Sequence, residues 1–232
     1  MREINYMKIK NITDTKADIM IYGDIVGEGW RETDICPADI IDRLKKVGSK
    51  DLDIYINSGG GNVFAGIAIY NLLKRHRGKK TVYIDAVAGS IASVIAMAGD
   101  DICMYKNSFL VIHKPTSAVD SGNAEDFRKC ADELDNIQNT IQEIYKSRLK
   151  NESYFETVID MINEETWLNA EKAAEYFNIK VLDENKAAAA VKTAAVYKNA
   201  PKGAENIFKG KNDYKPEKKL RAELDLLCAE FF

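Results

Sequence analysis

Histidine is the scarcest reactive residue of this chain, with only His76 and His113 among 232 residues. Cysteine is nearly as sparse. Cys36, Cys103, Cys130 and Cys228 stand no closer than 27 residues apart, so no metal-ligand spacing or paired-thiol motif exists, and structural thiols in a reducing compartment are the reading left. No metal and no cofactor are expected. Long apolar runs are missing too: nothing approaches the ~20 residues that a membrane span needs, and Met1-Arg-Glu-Ile-Asn-Tyr6 lacks the apolar stretch of a secretory leader. A cytoplasmic protein without a membrane partner is expected, with Met7 as a candidate alternative start. Excess positive charge is also absent from most of the chain. Residues 1–184 carry 23 Lys and Arg against 30 Asp and Glu, while residues 185–232 carry 10 against 6. The larger part therefore bears no nucleic-acid footprint.

At 46 % hydrophobic residues, the chain can bury one sizeable core. Ala17–Gly23 reads as a strand, 38–47 as a helix behind Pro37, and Leu52–Ile56 as a buried strand. A helix over 62–75, a strand over 81–86, a helix over 90–98 and strands over 102–105 and 109–113 follow. Repeated βαβ units around a parallel sheet, an α/β fold, are the expected result. The cationic turn Lys74-Arg-His-Arg-Gly-Lys-Lys80 complements the dipole at the end of helix 62–75, which gives His76 a structural part.

Farther on, Phe127, Cys130, Leu134, Ile137, Ile141 and Ile144 recur at 3-4-3-4-3 spacing inside a helix of about 26 residues, a coiled-coil-like seam. Such a stripe exceeds what the small remaining core can cover, so it is expected to pack on the same helix of a second subunit. Helices near 152–163 and 170–178 and a strand over Lys180–Leu182 finish a domain spanning 1–184. From Asn185 the composition turns to that of a Lys- and Ala-rich linker. Leu220, Leu224, Leu227 and Phe231 then mark an amphipathic terminal helix, docked or offered to a partner.

Two strand-to-helix turns carry the chemistry. In Ile56-Asn-Ser-Gly-Gly-Gly61 the glycines let backbone approach a substrate and leave N–H groups free before a helix; the Lys of a phosphate-binding loop and the third glycine of a dinucleotide fingerprint are missing. In Val87-Ala-Gly-Ser90 the serine sits at the turn itself, with Gly89 expected to take up backbone strain, whereas Ser93 lies one helical turn farther and is explained by packing. His113 ends the strand pattern Phe109-Leu-Val-Ile-His113. A turn serine, a strand-end histidine and a glycine nest are the parts of an acyl-transfer site.

These residues, in this order, resemble the Clp protease proteolytic subunit and its phage relatives, the head-maturation or prohead proteases. The resemblance runs over about residues 15–184 and rests on Ile56-Asn-Ser-Gly-Gly-Gly61, Ala88-Gly-Ser-Ile-Ala92 with Gly99 behind it, Val111-Ile-His-Lys-Pro115 and Thr166-Trp-Leu-Asn-Ala-Glu-Lys-Ala-Ala-Glu-Tyr176. It implies a crotonase-like α/β fold with a long handle helix, a serine endopeptidase acting on protein or peptide substrates, and a homo-oligomer of heptameric rings. Ser90 is the implied nucleophile, His113 the base, and Gly61 and Ile91 the oxyanion donors, with Gly59 and Gly60 against the substrate. The family's acid falls at Glu165, where the family has Asp; Glu164, Asp160 and Asp120 are the alternatives.

Gly59 stands where the housekeeping enzyme has proline. That departure, the Glu-Thr-Trp segment and the extension resemble the head-maturation enzymes, which implies capsid or scaffold partners; the housekeeping alternative implies an ATP-driven unfoldase. Outside proteolysis, a crotonase-type acyl-CoA enzyme or a catalytically inactive shell protein remains open.

Overall fold

The computed structural model describes residues 9–10, 12–29, 33–183 and 199. The expected terminal helix, and all of the extension except Asn199, lie outside the described residues. In chain order the elements are β1 (Ile9–Lys10), β2 (Lys16–Tyr22), α1 (Pro37–Val47), β3 (Asp51–Ser58), α2 (Val63–Arg75), β4 (Lys80–Gly89), α3 (Ile91–Ala96), β5 (Asp101–Tyr105), β6 (Phe109–Ile112), α4 (Ala124–Lys146), α5 (Phe155–Asn163), β7 (Thr166–Asn169), α6 (Ala170–Tyr176) and β8 (Ile179–Leu182). The main sheet runs β1-β2-β3-β4-β5-β8. From β2 to β8 its neighbours are parallel, as repeated βαβ connection requires.

Local chemistry sets these boundaries. Pro37 opens α1 at a position where no N–H is needed. Asn62 caps α2 by accepting the Ala65 N–H at 2.9 Å, Asn123 closes a capping box on α4, and Asn169 accepts the Lys172 N–H at 2.8 Å. Each such cap is worth about 1 kcal/mol over alanine. In β2 the alternate residues Ala17, Ile19 and Ile21 are fully buried, and in β3 Leu52, Ile54 and Ile56 are as well. Each large aliphatic side chain so buried contributes about 1.5–3 kcal/mol.

β4 changes partners along its length. Thr81–Ile84 pair with β5, whereas Val87–Gly89 pair with β6, and on its other side the register with β3 shifts between Ile56 and Ser58. The C-terminal ends of β3 and β4 thereby leave the regular sheet together. β6 also pairs antiparallel with β7, an element the sequence pattern does not announce: four residues with polar Thr166 and Asn169 at the ends are too few to show alternation.

The basic turn is structural, as expected. His76 Nε2 lies 2.7 Å from the Lys50 carbonyl, and the buried Lys80 ammonium donates to the Gly78 carbonyl at 3.0 Å and pairs with Asp100 at 2.9 Å.

The long helix departs in part from its expected role. Its C-terminal half packs on its own chain: Ile141 and Tyr145 are buried, and Ile137 and Ile144 lie against the core. Only the N-terminal half is uncovered, with Phe127 52 % exposed and Cys130 and Leu134 half-buried. The seam is continuous in sequence but divided in space, because the domain core ends beneath its middle.

That division is expected to show in stability. Ile141→Ala should lower unfolding free energy by about 2–5 kcal/mol, the cost of a cavity in a core. Phe127→Ala should stay within about 0.5 kcal/mol. Urea midpoints of the two variants, measured at low protein concentration, check the difference.

Candidate active site

Ser90 stands between β4 and α3 with φ 53° and ψ −129°. A left-handed backbone is costly for a residue with a Cβ, on the order of 1–3 kcal/mol, and persists only where surrounding contacts enforce it. Among the described residues only Ser90 and Glu165, at φ 55°, adopt positive φ without being glycine. Gly89 is not among the positive-φ residues, so the strain expected there falls on the serine itself.

Several contacts hold the turn. The Ser90 N–H donates to the Val111 carbonyl of β6 at 2.9 Å. Its carbonyl accepts the Ser93 N–H at 3.0 Å and the Ser93 hydroxyl at 2.5 Å. Ser93 is fully buried and its oxygen lies 2.7 Å from the Tyr145 hydroxyl, which gives it the packing role expected. At the other end of α3, the Arg148 guanidinium donates to the Met97 and Gly99 carbonyls at 2.8 and 2.5 Å, satisfying groups that a six-residue helix leaves free.

His113 follows directly on β6 and is half-buried. The parallel register Gly89↔Val111 and the Ser90 N–H bond to the Val111 carbonyl set Ser90 beside the end of β6, and His113 follows two residues after Val111. The antiparallel register Ile112↔Thr166, continued by one residue, sets Glu165 opposite His113. Burial pushes the imidazole's proton affinity below the ordinary histidine value, the Glu165 charge opposes this, and so does a hydrogen bond involving the Lys114 backbone. The net direction is downward. Glu164, Asp160 and Asp120 are all exposed, and the carboxylate whose charge acts on His113 is Glu165.

The glycine turn closes on the serine. A Cβ on Gly60, at φ 102°, would fall 2.7 Å from the Ser90 Cβ and 3.3 Å from the Ile91 nitrogen. A Cβ on Gly61, at φ 143°, would fall 2.1 Å from the Ile25 carbonyl oxygen. Neither place admits a side chain. Ile25 bridges the turn by donating to the Gly60 carbonyl at 2.9 Å and accepting the Asn62 N–H at 2.7 Å. That bridge uses the residues on both sides of Gly61 and leaves the Gly61 N–H out. Gly59 and Gly60 are buried while Gly61 is exposed, so the turn opens outward at Gly61. Ile91 is the first residue of α3, and its N–H has no earlier turn to bond to.

The pattern of residues matches a known family as well. The Clp protease family profile matches residues 10–183, well over half of the sequence. The chain belongs to the Clp protease family. An ATP-dependent Clp protease proteolytic subunit of Bacteroides fragilis is 30 % identical over 129 residues, 55 % of this chain and 61 % of the relative. One from Bacteroides thetaiotaomicron is 29 % identical over 129 residues, 55 % of this chain and 57 % of the relative. The chain thus spans about three fifths of the length of the curated relatives it matches.

Within this Clp protease fold, some supporting residues escaped the sequence reading. Ser58 is fully buried; its hydroxyl donates to the Gly23 carbonyl at 2.6 Å and accepts the Gly60 N–H at 3.1 Å, which shapes the glycine turn from within. It lies inside a quoted motif, so a signal was present. Arg148 lies in no motif. Neither does Asn199, whose backbone N–H donates to the Glu165 carboxylate at 2.6 Å. Among the described residues no group of His, Cys, Asp and Glu is arranged to hold a metal ion, and no helix is long and apolar enough to cross a membrane.

The burial of His113 has a pH consequence. Its folded proton affinity lies below the unfolded one, so the unfolded chain binds more protons as pH falls through the ordinary histidine range. Stability is lost over that window on acidification and is fully present above it. In an NMR titration His113 is expected to protonate below the ordinary value, and Glu165→Gln, by removing the opposing charge, to move it lower still. An unchanged titration in Glu165→Gln would show that the carboxylate does not act on the imidazole.

Proposed function

We propose that the chain is a serine endopeptidase in which Ser90 is the nucleophile, His113 the general base and Glu165 the orienting acid. The observation that carries this reading is the double pairing of β6: its neighbour on one side ends just before Ser90, and its neighbour on the other begins just after Glu165. Ser90 Oγ attacks the peptide carbonyl carbon while His113 takes its proton and then gives it to the leaving amine. Water, deprotonated by His113, then cleaves the acyl-serine and regenerates the hydroxyl. The N–H groups of Gly61 and Ile91 bind the tetrahedral oxyanion, each worth about 3 kcal/mol of transition-state stabilisation. A lowered proton affinity keeps the imidazole in its basic form at neutral pH, and Glu165 stabilises the imidazolium formed in the transition state.

The reading extends to a substrate class. Gly59, the Glu165-Thr166-Trp167 segment and the basic extension support a head-maturation protease, cleaving capsid or scaffold proteins within an oligomeric chamber. The uncovered half of α4, with Phe127 exposed, supports packing against a second subunit.

A fluorophosphonate probe with mass spectrometry tests the chemistry. Labelling is expected at Ser90, lost in Ser90→Ala and retained in Ser93→Ala; His113→Ala should slow it by about 10²–10⁴-fold. Labelling that survives Ser90→Ala and disappears in Ser93→Ala would overturn the assignment. Cleavage of a capsid or scaffold protein encoded beside this chain checks the substrate class, whereas co-purification with an ATP-driven unfoldase would point to the housekeeping role.

A further inference from the structure

Glu165 ends a helix and bends away from it. α5 stops at Asn163, Glu164 caps it, and Glu165 then turns into the left-handed region. A helix end leaves its last carbonyls without partners, and a left-handed glutamate is strained, so the turn needs outside support. Asn199 supplies it from 34 residues farther along the chain. Its side-chain amide donates to the Glu164 carbonyl at 2.5 Å and to the Glu165 carbonyl at 3.2 Å. Its backbone N–H donates to Oε1 of the Glu165 carboxylate at 2.6 Å. Three contacts from one residue thus grip the backbone of Glu164 and both the backbone and the side chain of Glu165.

We propose that Asn199 is a positioning residue of the catalytic site: it fixes the turn at Glu165 and engages one carboxylate oxygen, leaving the other to face His113. The proposal rests on the serine-peptidase reading above. It makes the extension beyond the domain part of the working site, reached through Asn199. The side-chain amide suits this place because both of its acceptors are carbonyls, while the carboxylate is met by the backbone N–H. Asparagine offers donors there without adding charge.

Charge at the site is simple. Glu165 is the charged side chain that acts on His113; Glu164 beside it on the turn, and Lys114 after His113, are exposed. Displacing Glu165 removes the larger of the two contributions that raise the imidazole, leaving only the Lys114 backbone hydrogen bond against burial.

The test uses the full-length chain and two variants. Asn199→Ala removes the side-chain donors. Asn199→Asp keeps the shape and the backbone N–H but replaces donors with a carboxylate facing two carbonyls and Glu165. Fluorophosphonate acylation of Ser90 is expected to slow by about 10- to 100-fold in Asn199→Ala, the effect of a misplaced catalytic group, and by more in Asn199→Asp. The His113 NMR titration should move to lower pH in Asn199→Ala. A packing role alone would spare the isosteric Asp variant and leave the titration in place. Wild-type acylation rates in both variants together with an unshifted His113 would overturn the proposal. If the wild-type chain is not labelled at all, it is the peptidase reading that fails. The His113 titration then still decides whether Asn199 holds Glu165 against the imidazole: a downward shift supports the placement and no shift overturns it.

Discussion

The hydrogen bond from the Ser90 N–H to the Val111 carbonyl is the constraint on which the rest of the site depends. It extends the β4–β6 pairing by one residue past the end of β4, so the serine is fixed to the strand that carries His113. On its other edge β6 pairs with β7, whose register sets Glu165 across from His113. Three residues spread over 76 positions of sequence thus meet through one four-residue strand. Parallel pairing on one edge and antiparallel on the other is what allows this, since β4 must end and β7 must begin at the same end of β6.

The cost of the arrangement sits in two left-handed residues and is met locally. At Ser90 the carbonyl receives two donors from Ser93, the Gly60 backbone packs on the serine Cβ, and Ile91 sits so close to Gly66 that a Cβ there would fall 2.1 Å from Ile91 Cγ1. At Glu165 the compensation comes from Asn199 and from the Thr166 hydroxyl, which donates to the Met161 carbonyl at 2.8 Å. Strain that neighbouring contacts over-determine keeps a side chain in one geometry. Arg148 serves the same end by holding the Met97 and Gly99 carbonyls of the turn that follows α3.

Much of this was legible in the residues, and the remainder was hidden for identifiable reasons. The parallel α/β framework follows from alternating apolar strands and capped helices, and it is found nearly where the pattern places it. Ser90 and His113 stand out because one occupies a small-residue turn and the other is one of two histidines. Glu165 was reached by resemblance, since a carboxylate in a polar turn has no distinguishing pattern, and the left-handed backbone that singles it out is invisible before folding. The α4 stripe misled in part. Spacing reports which residues share a face but not how far the domain beneath extends, so Ile141 and Phe127 look alike in sequence and differ in burial. Asn199 carries no sequence signal, because its partners are carbonyls and a carboxylate 34 residues away.

In the proposed triad, a glutamate standing where the resemblance implies an aspartate gives such support a purpose. The added methylene brings one more rotatable bond and with it more ways to miss the imidazole. Glu165 takes up a left-handed backbone, and the Asn199 N–H on its Oε1 removes part of the side chain's freedom. His113 is then poised between two opposed effects, burial that disfavours its protonated form and a tethered carboxylate that favours it. In the proposed mechanism burial, the larger of the two, keeps the imidazole neutral and ready to accept a proton, while the carboxylate stabilises the cation then formed.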